Sequence, residues 1–143
     1  MPEPFAIVCS IRITADDLFA ALRAHGGVID NEAAKDGRVS RGECQVWVHL
    51  RDEELADLED ATLARIQTAL GAEPISEVLL DVSGTEGSEQ LAVDFACACA
   101  ERWPCIVYDF KGRILTPDDL SRLQAAGAGF AEPPPRAATS DAP

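Results

Sequence analysis

The sequence predicts an α+β domain: a mixed, largely antiparallel sheet with helices packed mainly on one face. Three observations carry that expectation. Residues 5–13 and 44–51 alternate along the chain with the period of a strand. Asp52–Leu70 and Leu91–Trp103 repeat their apolar residues with the period of a helix. Taken in order, the elements read β-α-(β)-β-α-β-α-β-β-α, strands separated by helices with one late hairpin, which is an α+β order. At 143 residues the chain is long enough for one domain with a real core.

Each element has a local cause. Phe5, Ile7, Cys9, Ile11 and Ile13 occupy one face of the first strand, and Ala6, Val8, Ser10 and Arg12 the other. Both faces are apolar enough for a central or well-covered position. Thr14 is a helix cap, Asp16 and Asp17 sit in the first turn where the dipole favours them, and Gly26-Gly27 ends the helix. His25, in its last turn, reads as a partner of the helix dipole rather than as a ligand or base. Val28-Ile29 starts a short strand, and Asn31–Arg41 is a loop or the arm of a hairpin. In the next strand Cys44, Val46, Val48 and Leu50 face the core, while Gln45, Trp47, His49 and Arg51 face the other way. The second helix is expected over Asp52–Leu70, with Leu55, Leu58, Thr62, Ile66 and Leu70 as its buried stripe and Gly71 as its cap.

The central unit runs from Ile75 to Leu115. Val78–Val82 is a strand, Ser83–Ser88 a turn cluster in which Thr85 or Ser88 caps the third helix, and Pro104 the stop. Cys105–Phe110 is a strand, and Lys111-Gly112 turns into Arg113-Ile114-Leu115. Thr116-Pro117-Asp118-Asp119 then starts a last helix that ends near Ala126. The folded domain is therefore expected over residues 1–126. Residues 127–143, with three consecutive prolines, are expected to form a disordered tail.

The net charge of −13 excludes whole classes of function. Nucleic acids and anionic membrane surfaces repel such a chain, so neither is an expected partner; the acidity is either a solubility device or the complement of a basic protein partner. No apolar run is long enough to cross a bilayer. Met1-Pro2-Glu3-Pro4-Phe5 is not the start of a signal peptide, so a cytoplasmic location is expected. Five cysteines without a secretory context read as reduced, structural thiols. Cys97 and Cys99 point in different directions on a helix, so no metal site and no cofactor are expected.

Three constellations remain as carriers of function. Trp47, His49 and Arg51 share one strand face, and Trp and Arg are the types that anchor interfaces; alternatively Trp47 packs beneath a helix or loop. Glu53, Asp57 and Asp60 repeat along the second helix, either as a solvated face or as a docking surface for a basic partner. Asp81 and Asp109 flank the third helix, and on neighbouring strands in register they would form a carboxylate pair with one raised pKa. The Ser83–Ser88 loop lacks the Lys of a P-loop and contains Glu86, so a phosphate site is not expected.

The run Gly87-Ser88-Glu89, Leu91-Ala92, Phe95-Ala96, Arg102-Trp103-Pro104, Val107, Asp109, Gly112 and Ile114 resembles the C-terminal half of small immunity proteins of bacterial polymorphic-toxin and contact-dependent inhibition systems. The resemblance covers about a third of the chain, in residues of structural type. It implies a small, acidic, cytoplasmic, non-enzymatic protein that blocks one cognate toxin by steric and electrostatic occlusion. The partner-binding residues expected on that reading are Trp47, His49, Arg51, Glu53, Asp57 and Asp60. The other expectations are a small hydrolase or transferase using Asp81 and Asp109, and an adaptor domain whose partner is not a toxin.

Overall fold

The computed structural model describes residues 3–51 and 58–130, and within them the chain order is β1 (Glu3–Cys9), α1 (Ala15–Ala24), β2 (Val28–Asn31), β3 (Asp36–Arg41), β4 (Cys44–Arg51), α2 (Asp60–Leu70), β5 (Ser76–Val82), α3 (Ser88–Arg102), β6 (Cys105–Tyr108), β7 (Ile114–Leu115) and α4 (Pro117–Ala125). The strands form one sheet in the order β2-β3-β4-β5-β1-β6-β7. Every neighbouring pair is antiparallel. A β5-α3-β6 unit would ordinarily add a parallel pair to the sheet. Here β1 inserts between β5 and β6 and pairs antiparallel with both, so the expected mixed sheet is antiparallel throughout.

Strand alternation divides the core in two. Phe5, Ile7 and Cys9 of β1 point to the face that also carries Val46, Val48, Leu50, Val78, Leu80 and Val82. Helices α1, α3 and α4 lie on this face through Leu18, Leu22, Phe95, Leu120 and Leu123, which are all fully buried. Ala6 and Val8 point to the second face and pack with Ile106, Tyr108 and Ile66 of α2. A buried side chain of this size contributes about 1.5–3 kcal/mol, so the three-helix side dominates the stability. Helix α3 buries Leu91, Ala92, Val93, Phe95, Ala96, Cys97 and Cys99, more than one stripe, because α4 covers the side turned away from the sheet.

Local chemistry sets the ends. Thr14 accepts from Asp17 N and Asp17 accepts from Thr14 N (3.1 and 2.9 Å), and Thr116 and Asp119 repeat this reciprocal cap. Each such cap contributes about 1 kcal/mol. Gly37 is required by packing: a Cβ there would stand 2.5 Å from a Leu22 methyl of α1. Ser76, fully buried, donates to Ile11 O at 2.7 Å and accepts from Ile13 N at 3.2 Å, which ties the β1–α1 turn to β5. That turn begins at Ser10, so the first strand is shorter than the alternation through Ile13 predicts, and Ile11 is exposed.

Four further expectations are corrected. Helix α2 begins at Asp60, not Asp52; Leu58 and Glu59 are not helical, and Glu53, Leu55 and Asp57 lie outside the described residues. Neither Thr85 nor Ser88 caps α3: the N-cap is Gly87, with φ of 94°, and Ser88 is the first helical residue. The fold does not stop at Ala126. Ala128 and Phe130 are buried, Phe130 lies 4.5 Å from Phe5 between ring centroids, and its carbonyl accepts from the Arg113 guanidinium. His25 ends α1, but its ring meets Phe95 edge-on at 5.6 Å, and burial lowers its pKa, which disfavours the charged dipole partner expected there.

Candidate functional site

Helix α2 packs over β1 and β6 and leaves the β2–β5 half of the second face without a helix among the described residues. Among the residues that alternate away from the core of β3, β4 and β5, Trp47, Arg51 and Asp81 are exposed and Asp36, Arg38, His49 and Leu79 half-buried, while Glu77 is buried. Register places them in rows. Val28, Arg38, Trp47, Asp81 and Pro4 lie side by side across β2, β3, β4, β5 and β1. Asp36, His49 and Leu79 form the next row, and Arg51 and Glu77 the third.

Trp47 is 38 % exposed and Val28 51 %, so the indole is not packed beneath a covering element. Its row neighbours are charged, Arg38 on one side and Asp81 on the other. Arg38 Nε stands 3.5 Å from Asp30, and His49 donates through Nδ1 to Asp36 at 2.5 Å. Arg51 reaches Glu77, which is almost fully buried, at 3.5 Å. These contacts hold Arg38, His49 and Arg51 in place on the sheet; partly exposed pairs of this kind contribute no more than about 1 kcal/mol each, so they orient more than they stabilise. A concavity of about 290 Å³ opens between Trp47, His49, Asp36, Asp30 and Asp81.

Of the expected site residues, Trp47, His49 and Arg51 lie on this open half-face. Asp60 is exposed at the start of α2, on the same side of the sheet, whereas Glu53 and Asp57 lie outside the described residues. Asp81 and Asp109 do not meet across neighbouring strands, because β1 stands between β5 and β6. Asp109 instead closes the β6–β7 turn, its Oδ1 accepting from Lys111 N at 2.7 Å and Arg113 N at 2.9 Å. The hydroxyls of the Ser83–Ser88 loop are engaged with each other: Ser83 and Ser88 lie 2.6 Å apart, and Ser88 accepts from Gln45 N.

Sequence reasoning missed Asp30, Asp36, Arg38 and Asp81 as members of the site. The first three fall in a polar stretch whose alternation is short, although Val39 between Arg38 and Ser40 is a legible signal of it. Asp81 joins through strand pairing, which no local pattern specifies.

The fold and this face define an α+β domain with a charge-studded sheet surface, centred on a tryptophan, that no helix among the described residues covers. Comparison with known protein families, curated proteins and solved structures finds no match for the chain.

Proposed function

We propose that this chain is an immunity protein, a non-enzymatic binder that neutralises one cognate bacterial toxin by covering its working surface. The observation that carries the reading is the open half-face itself: an exposed tryptophan beside arginines and a histidine that acidic partners hold in place. Aromatic and arginine side chains of this kind dominate binding energy when a partner buries them. The net charge of −13 favours a basic toxin and speeds its encounter. The resemblance of the α3–β7 segment to immunity proteins supports the same class, through core residues such as Leu91, Phe95 and Val107 together with exposed ones such as Arg102 and Pro104. Occlusion is then steric, with Trp47 as the anchor and the surrounding carboxylates pairing with Lys and Arg of the toxin.

The test is protection. The chain is co-expressed with the toxin encoded beside its gene, and the two purified proteins are compared by binding kinetics. Trp47→Ala should raise the dissociation rate by an amount worth about 2 kcal/mol or more and weaken protection, with little change in association. A folded Trp47→Ala, Arg51→Ala variant that protects fully would remove this face from the interface. An adaptor domain would give no protection at all.

A further inference from the structure

Among the described residues the charged side chains around the Trp47 row are matched: Asp30 with Arg38, Asp36 with His49, Glu77 with Arg51. Asp81 is the exception. It is exposed, no cation or N–H of the described residues reaches its carboxylate, and it lies directly across from Trp47 on the adjacent strand. Residues so paired hold their Cβ atoms about 4.5–5.5 Å apart, so the carboxylate and the indole can serve one ligand together.

From this juxtaposition we infer that Trp47 and Asp81 form a seat for a single arginine side chain of the basic partner, a refinement that rests on the reading of this face as a docking surface. A guanidinium is planar. It stacks on an indole and at the same time presents two parallel N–H groups to a carboxylate, which an ammonium cannot do. The concavity of about 290 Å³ has room for the group and the end of its stem. Asp30 and Asp36 on its rim disfavour an anion there, and each already has a partner, Arg38 and His49, which leaves Asp81 as the open acceptor. Trp47 is thus an anchor that also receives: the partner's arginine lies over it while the indole is buried by the contact.

The seat is tested without the toxin. The ¹⁵N-labelled protein is titrated with N-acetyl-arginine amide, with its uncharged citrulline counterpart and with N-acetyl-lysine amide, following the indole N–H of Trp47. The indole of Trp103, buried on the other side of the sheet, reports the integrity of the fold. The expected result is a saturable shift of Trp47 with the arginine compound in the millimolar range, about tenfold weaker with lysine and absent with citrulline. Asp81→Asn, at an exposed position, should remove the arginine response while leaving Trp103 unmoved. An equal response to citrulline, an undiminished response in Asp81→Asn, or no saturable shift with the arginine compound overturns the seat. None of these bears on toxin neutralisation, which the protection assay decides: full protection by Asp81→Asn would leave an immunity protein without this seat.

Discussion

Burial sorts the five thiols into two kinds. Cys44 is half-exposed at the start of β4, where its Sγ donates to Glu86 O at 3.1 Å, while Cys9, Cys97, Cys99 and Cys105 lie in the core. Cys9 and Cys105 face each other across β1 and β6, and the hydrogen bond between their thiols, with burial, pushes Cys9 far above the ordinary thiol range. Burial, helped by the nearby Asp94 carboxylate, raises Cys97 to about 11, and burial raises Cys99 further. A thiol reacts as its thiolate and only where a reagent reaches it; the hydrogen bond with Cys9 lowers Cys105, but that thiol is buried. One equivalent of an alkylating reagent should therefore be taken up quickly by the native protein, and Cys44→Ser should abolish that phase. Two or more fast equivalents, counted by mass spectrometry, would contradict this assignment. His25 makes a second prediction at this scale. Burial lowers its pKa from 6.5, opposed by Asp94 of α3 and assisted by Arg41 of β3. The unfolded chain then takes up the proton first as pH falls. The contribution of neutral His25 is whole above about pH 6.5, declines as pH drops towards the lower folded value, and levels off below it. Urea midpoints at about pH 7.5 and about pH 5.5 should show a smaller acid loss in His25→Gln than in the parent.

Elements reveal where local pattern suffices. The caps at Thr14 and Thr116, the stop at Pro104 and the alternation of Cys44–Arg51 were legible because each is a contact within a few residues. Helix α2 shows the opposite case. Of its expected stripe, Leu55, Leu58, Thr62, Ile66 and Leu70, only Ile66 is fully buried, Leu58, Thr62 and Leu70 are half-buried and Leu55 lies outside the described residues; regular helix starts only at Asp60, with Glu59 as a cap that makes no side-chain hydrogen bond. The segment after α4 misled for a different reason. Between Gly127 and Gly129 no period exists, so nothing marks Phe130 as a core residue; its pocket is supplied by Phe5 on β1 and closed by Arg113. Phe130→Ala should cost about 3–5 kcal/mol, a large share of the stability of a domain this size, and Phe130→Leu should recover part of it. Denaturant unfolding of the two variants measures this, and a loss within experimental error for the alanine variant would mean that the ring carries no packing energy. The candidate site was half legible by the same rule: Trp47, His49 and Arg51 follow from one strand, while Asp36 and Asp81 belong to it only through pairing.

For the molecule as a whole, the fold class was readable from element order, but the arrangement of the strands was not, because it depends on which strand β1 chooses. Charge also acts at this scale. If the partner is basic, association steered by a net charge of −13 should slow about tenfold or more from low salt to a few tenths molar, while dissociation changes little. Stopped-flow measurements over that range check it, and a flat association rate would mean that the acidity serves solubility alone. The place of β1 has a consequence in time. β1 is interior to the sheet, and its partners, Ser76–Val82 and Cys105–Tyr108, follow it only in the second half of the chain. Until they emerge, Phe5, Ile7 and Val8 have nothing to pair with, and the hairpin of β2 and β3 with β4 can form only a fragment of sheet. Closure waits for these distant segments, so folding is expected to be slow for the chain's length. A nascent chain stalled before β6 should be protease-sensitive, and protection should appear only once β6 and β7 have emerged.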